Sequence, residues 1–228
     1  MEENQYSNMN YWMNRVYKDG KQTHRNKCVL KSVTPVMEKI RSFVPIGKET
    51  TVLDVGCGSG NYTYQFSILS DKVKGIDHSE YIFSKNPHKD IAVMDATKMD
   101  FPDNSFDVVF CSDTLHHIPE YEKAVSEMLR VSRKYVVILE ANSLNPMIYA
   151  VGLLRREERL IITKPLTLRK ISGLLRGADI LFAKHVMSFF FPNALANVPE
   201  KILDLFPKVR FVNAPFMPWF LLIAEKKV

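Results

Sequence analysis

A chain of 228 residues, 46% hydrophobic and 25% charged, is long enough to bury one sizeable α/β core and short for two ordinary domains, so a single domain is expected. Met1 to Asn10 is polar with no basic-then-apolar leader pattern, and no run reaches the roughly 18 apolar residues of a membrane span, because Pro192 and Pro218 break the aromatic stretches near Phe189 and Phe220. Cys28, Cys57 and Cys111 lack metal-ligand spacing and leave one unpaired, which suits a reducing, cytoplasmic setting.

The net charge of +6 is unevenly spread. Residues 1–50 carry 9 Lys/Arg and 5 Asp/Glu, residues 51–144 carry 9 and 14, and residues 145–228 carry 13 and 6. Basic flanks around an acidic centre fit either a solvated face or a mouth that attracts an anionic substrate or a phosphate-rich surface, including a peripheral membrane contact. Basic stripes with interleaved aromatics do not occur, so nucleic acid is not the expected partner.

In chain order, residues 10–44 hold Tyr11, Trp12 and Tyr17, then apolar positions at three- and four-residue spacing. Two short helices meeting near Pro35 are expected, since proline is tolerated in a first helical turn and disfavoured inside. Thr50 to Val55 then reads as a strand. It runs at once into Gly56-Cys57-Gly58-Ser59-Gly60, followed by a helix over Asn61–Leu69. Strand, glycine turn and helix bring backbone N–H groups and the positive end of a helix dipole close to a ligand. The glycines fall one residue short of the G-x-G-x-x-G dinucleotide fingerprint. Asp54 on the strand would repel a pyrophosphate and would pair with a cationic amino group.

Lys72 to Asp77 is a second strand, ending in an acid about 20 residues past the glycine turn, the position expected to accept ribose hydroxyls. Ile91 to Met94 is a third, ending in Asp95-Ala96, where Asp95 is either a ligand contact or a turn cap. A fourth buried strand leads into Ser112-Asp113-Thr114-Leu115-His116-His117, which lies at the carboxyl end of its strand and so faces a ligand in an open α/β sheet. A helix over Tyr121–Val131 and a strand Tyr135–Glu140 follow. Strands alternating with helices imply a parallel sheet with right-handed crossovers. Beyond Glu140 come a helix candidate Met147–Leu160, apolar and then arginine-rich, a helix Thr167–Arg176 stopped at Gly177, and terminal strands Ile180–Phe189 and Trp219–Ala224. Residues 145–184 carry 8 Lys/Arg and 3 Asp/Glu. An apolar helix face beside an arginine cluster suits a lipid-like acceptor bearing phosphate, or a helix packed on the sheet edge with its charges in water.

From Thr50 to Ile118 the motifs resemble those of class I S-adenosylmethionine-dependent methyltransferases, in particular the broad group that includes ubiquinone and menaquinone methyltransferases. The Asn/Asp-Pro-Pro-aromatic signature of adenine N-methyltransferases is absent, as is the two-glutamate loop of protein arginine methyltransferases. The resemblance implies a Rossmann-like α/β fold: a seven-stranded sheet, mostly parallel with an antiparallel terminal strand, and helices on both faces. It divides the chain into a helical lid (1–44), a cofactor-binding core (45–140), a substrate-side insertion and helix (141–178) and a terminal β-hairpin region (179–228).

It further implies S-adenosyl-L-methionine as cofactor, held by Asp54, Gly56, Cys57, Gly58, Gly60, Asp77, His78, Asp95, Ala96, Ser112 and His117. The acceptor is a small molecule, anionic or lipid-linked. His116, His117 and Glu140 are the candidate catalytic residues, because an imidazole titrates near neutrality and can take the acceptor's proton. Zinc held by Asp113, His116 and His117 is not expected, since adjacent histidines share one tetrahedral ion poorly. A scaffold that binds the cofactor without turnover and a dehydrogenase are the rival expectations.

Overall fold

The computed structural model describes residues 27–79, 86–154, 163–187 and 210–227. Helix α1 (Lys27–Arg41) precedes β1 (Thr51–Val55), α2 (Asn61–Leu69), β2 (Lys72–Asp77), β3 (Ile91–Val93) and β4 (Phe106–Ser112). A 3₁₀ turn (Leu115–His117), α3 (Tyr121–Val131) and β5 (Ser132–Ala141) complete the alternating part. Then come α4 (Pro146–Leu154), α5 (Leu168–Leu174), β6 (Ala178–Met187), β7 (Arg210–Val212) and β8 (Trp219–Lys226).

The strands form one sheet in the order β3-β2-β1-β4-β5-β8-β6-β7. Strands β1 to β5 pair in parallel, while β8 runs antiparallel to both β5 and β6. The α/β, mostly parallel architecture is the expected one, but the sheet has eight strands rather than seven. The additional strand is β7, three residues paired antiparallel to the end of β6 through His185↔Val212 and Met187↔Arg210. So short a strand has no alternation pattern of its own and forms by completing an edge.

Side chains alternate across the strands, so each strand feeds two cores. On one face Val52, Val108, Phe110, Val137 and Leu221 pack with Tyr62 and Phe66 of α2 and with Val33, Val36, Met37 and Ile40 of α1. On the other, Leu53, Val109, Ile138 and Leu222 meet Tyr121, Ala124, Val125 and Met128 of α3 and Ile171 of α5. α1 corrects the expectation of two short helices, because one helix runs through Pro35. An interior proline costs about 3 kcal/mol. The continuous buried stripe Val33, Val36, Met37 and Ile40, each at most 4% exposed, outweighs it. Tyr11, Trp12 and Tyr17, with the rest of the first 26 residues of the expected lid, lie outside the described residues, as does the arginine-rich half of the Met147–Leu160 helix.

Candidate functional site

Register brings the predicted residues to one edge of the sheet. Val55 pairs with Ile76 on one side and Cys111 on the other, Ser112 pairs with Leu139, and Ala141 pairs with Trp219. Gly56 and Asp113, just past β1 and β4, and Asp77 and Glu140, in the last positions of β2 and β5, therefore share the carboxyl edge of the sheet.

The turn after β1 is a compact cradle. Gly56, Gly58 and Gly60 adopt φ of 71°, 51° and 82°, the left-handed region that costs other residues about 1–2 kcal/mol. A Cβ on Gly56 would stand 2.0 Å from Thr114 Oγ1, and one on Gly60 would stand 2.3 Å from Asn86 Oδ1, so the turn is also closed from outside. Gly56 N and Cys57 N donate to Ile76 O (2.8 and 2.9 Å), docking the turn on β2. Asn86 Nδ2 donates to Gly58 O (3.1 Å). The Cys57 thiol is buried beneath the turn beside Asn86 and Gly75, and burial pushes it well above its ordinary value, so Cys57 offers the cradle its backbone.

Asp77 closes the far side. Its Oδ2 accepts from Gly58 N and its Oδ1 from Ser79 N, both at 3.0 Å, leaving acceptor capacity on each oxygen for ligand hydroxyls. Burial raises its pKa, and the Ser79 and Gly58 amides oppose that rise. Asp54, 2% exposed, accepts from Thr63 Oγ1 at 2.6 Å. Burial lifts its carboxyl to about 7, the Thr63 bond opposes this and the Asp77 charge adds to it. A positive group beside the two carboxylates would relieve both. The amide oxygen of Asn61, at the start of α2, is buried without a partner among the described residues. Together with the closed glycine turn, the two carboxylates and the unsatisfied amide fit a ligand that carries hydroxyls and a positive charge.

Met94 N donates to Asp77 O (3.0 Å), so Asp95 and Ala96 emerge beside Asp77. Asp95 is exposed and its Oδ1 accepts from Thr97 N and Oγ1, both at 2.8 Å, which is the turn-cap geometry of its alternative reading. His78 is exposed and follows Asp77.

The second part of the site hangs on Glu140. Fully buried, it accepts from Thr114 N and Leu115 N through Oε1 (2.7 Å each) and faces His116 Nδ1 through Oε2 (2.8 Å). With the Glu140 oxygen accepting, Nδ1 carries the hydrogen, and in the neutral ring Nε2 keeps a lone pair. The His117 ring lies tilted against that of His116, with ring centres 4.0 Å apart. Burial, helped by the neighbouring imidazole, holds His117 well below the usual histidine range, so it is neutral at pH 7. Asp113, His116 and Glu140 each bring a potential ligand atom within 4.8 Å of the others, but the Glu140 oxygens are already engaged by two amides and an imidazole. Within the trio His116 and Glu140 are hydrogen-bonded to each other, while Asp113 Oδ1 is bonded to Trp219 Nε1.

Three residues make contacts here that local sequence patterns did not give. Asn86 buttresses the glycine turn, and Thr114 Oγ1 bonds Ser112 O (2.8 Å) and Gly56 O (3.4 Å), joining the ends of β1 and β4. Trp219 Nε1 donates to Asp113 Oδ1 (2.8 Å), anchoring a residue whose φ of 47° is rare outside glycine. Asn86 carried no signal, whereas Thr114 lay in the segment read as facing a ligand and Trp219 opened a terminal strand.

Residues 53–138 match the family model described as a methyltransferase domain. A phosphatidylethanolamine N-methyltransferase of Cereibacter sphaeroides is 37% identical over 95 residues, 36% of this chain and 45% of that protein. A demethylmenaquinone methyltransferase of Staphylococcus aureus is 32% identical over 117 residues, 46% of this chain and 48% of that one. The chain thus spans about half the length of the curated relatives it matches. Among solved structures, an S-adenosylmethionine-dependent methyltransferase of Thermotoga maritima superposes with TM-score 0.59 at 16% identity, covering 87% of this chain and 99% of that one. One from Archaeoglobus fulgidus gives 0.59 at 19% identity, covering 85% and 94%. These two likenesses concern the fold.

Proposed function

We propose, since the chain through residues 53–138 belongs to the class I S-adenosylmethionine-dependent methyltransferases, that the protein methylates a small-molecule acceptor of lipid or quinone type that gives up a proton. The observation that carries this reading is the convergence of the cradle and its two carboxylates with the Glu140–His116 pair at one sheet edge.

When bound, S-adenosylmethionine supplies a methyl group already activated on a sulfonium. The chain's task is then alignment, worth about 7–11 kcal/mol of barrier for well-oriented groups. Asp77 would take the ribose hydroxyls, and Asp54 would face the cationic amino end and be held as a carboxylate by it. Asp95 and Ala96 would border the adenine, with Ser112 and His117 on the side nearest β4. His116 Nε2 accepts the acceptor's proton. Glu140 keeps the other nitrogen protonated and the ring in place, and so acts as a positioning residue. His117, neutral, packs against His116 and shields the pair from water.

Acceptor class rests on the relatives, one named for phosphatidylethanolamine and one for demethylmenaquinone, and on the basic charge of residues 145–228. An anionic, lipid-linked acceptor suits that charge. A cytoplasmic setting belongs to the same reading, supported by the buried free thiols Cys57 and Cys111. Among the described residues, no helix is long and apolar enough to cross a membrane.

Calorimetry with S-adenosylmethionine and with NAD tests the donor. A panel of phosphatidylethanolamine, demethylmenaquinol, prenyl phosphates and nucleotide sugars tests the acceptor, read as S-adenosylhomocysteine released. Preference for NAD would overturn the reading. Tight donor binding without product on any acceptor would favour a non-catalytic binding role.

A further inference from the structure

We infer that the outward side of α4, together with Phe216, is a docking surface for an anionic phospholipid bilayer, placed beside the mouth of the site. The inference rests on the lipid-type acceptor proposed above and names where that acceptor is met.

α4, Pro-Met-Ile-Tyr-Ala-Val-Gly-Leu-Leu, carries no charged side chain and only one polar group, the Tyr149 hydroxyl. A helix lying on a water-facing globule normally shows a polar stripe opposite its buried one. Here Ile148 and Gly152 turn inward, while Met147, Tyr149, Leu153 and Leu154 are 45%, 45%, 59% and 85% exposed. Phe216, on the loop before β8, is 62% exposed.

The two elements are bolted together. Asn145 Nδ2 donates to Phe216 O (2.6 Å), and its Oδ1 accepts from Met147 N and Ile148 N at the start of α4 (3.0 Å each). Asn142 Nδ2 donates to Pro215 O (2.6 Å) and Met217 O (2.8 Å). Buried amides thus hold apolar side chains in water at a fixed place, a cost that a monomer has no reason to bear without a partner. The place is the carboxyl edge of the sheet. Asn142 follows the end of β5, and the Phe216 loop leads into Trp219, which bonds Asp113 in the site.

Apolar area alone would suit a second copy of this chain as well as a bilayer, and charge separates them. Arg155, Arg156, Glu157, Glu158 and Arg159 follow α4 in sequence with a net positive charge, and residues 145–184 as a whole carry 8 Lys/Arg against 3 Asp/Glu. Lys164 is exposed and its ammonium donates to Pro119 O, two residues beyond His117, which puts a cation on the same rim. A net-basic stretch of sequence following an apolar helix is what an anionic leaflet attracts, whereas two copies meeting here would bring like net charges together.

Co-sedimentation of the full chain with vesicles of phosphatidylcholine alone, and with about one third phosphatidylglycerol, tests this. Binding is expected to the anionic vesicles and to weaken with salt. Leu153→Asp with Leu154→Asp, and separately Phe216→Ser, should each lower the partition coefficient about tenfold or more, with S-adenosylmethionine affinity and melting temperature retained. The two variants sit on different elements, so one remains readable if the other fails to fold. The inference is overturned if the wild type ignores anionic vesicles, if folded variants bind them as well as wild type, or if light scattering shows a dimer that the variants break while vesicle binding persists. A chain that binds vesicles but not S-adenosylmethionine would leave the docking surface standing and remove the methyl-transfer reading.

Discussion

Exchanging Glu140 for glutamine changes one atom and forces a choice on the site. The carboxylate receives three N–H donors, the Thr114 and Leu115 amides on Oε1 and the His116 Nδ1–H on Oε2, beside a longer contact from the Cys111 thiol to Oε1 (3.9 Å). Glutamine offers one oxygen and one NH₂. With the NH₂ against the backbone amides, both N–H groups would lose their acceptor, at about 1–3 kcal/mol each. The oxygen therefore stays on the amides and the NH₂ meets His116 Nδ1, which must become an acceptor and send its hydrogen to Nε2. Replacing three charge-assisted bonds by neutral ones costs about 1 kcal/mol each, or about 3 kcal/mol in all. For a chain of this length that is roughly a 6–12 °C fall in melting temperature, within a typical stability of about 5–15 kcal/mol. Loss of the Nε2 lone pair removes the base, which is worth about 10²–10⁴-fold in turnover. Long-range ¹H–¹⁵N NMR of the His116 ring should show the hydrogen moving from Nδ1 to Nε2, and turnover on the identified acceptor should fall while S-adenosylmethionine binding holds. An unchanged tautomer, or full turnover in the folded variant, would refute the reasoning.

Gly56→Ala places a Cβ 2.0 Å from Thr114 Oγ1 at φ 71°, so donor affinity measured by calorimetry should fall more than tenfold, and an unchanged value would move the donor elsewhere. Asp54 has its folded pKa raised from 3.8 to about 7, so the folded chain holds the extra proton between these values; the stability this confers is complete below about pH 4 and is lost as pH rises through 7. Asp54→Asn should flatten that part of the stability profile in urea titrations at several pH values. A cationic donor beside Asp54 favours its carboxylate, so binding near pH 7 should release protons, seen as a calorimetric heat that depends on the buffer and disappears in Asp54→Asn. Trp219→Phe removes the Nε1–H donor from Asp113 Oδ1 and should cost about 1–3 kcal/mol in denaturant unfolding, with no loss counting against the anchoring role.

Local patterning carried the central βα units well. The bounds read for α2 and α3, Asn61–Leu69 and Tyr121–Val131, are those of the structure, because a glycine turn and a strong apolar periodicity mark them without help from distant residues. The ends of β5 and β8 were read short, since Ser132, Ala141, Glu225 and Lys226 join the strands only by pairing with neighbours. Pro35 misled because its cost is local while the burial that outweighs it comes from the sheet.

What the amino-acid order determined by itself was the set of strand ends and the chemistry waiting on each: three glycines, the acids Asp54, Asp77 and Asp95, and the His116-His117 pair. Tertiary structure alone decided which of these meet, that Glu140 serves His116 through Nδ1, that Asn86 and Thr114 close the glycine turn, and that Trp219 reaches across 106 positions to Asp113. The reason is one of range. A turn or a helix is chosen by neighbours along the chain, whereas a hydrogen bond between strand ends exists only once parallel pairing has fixed register across the whole sheet.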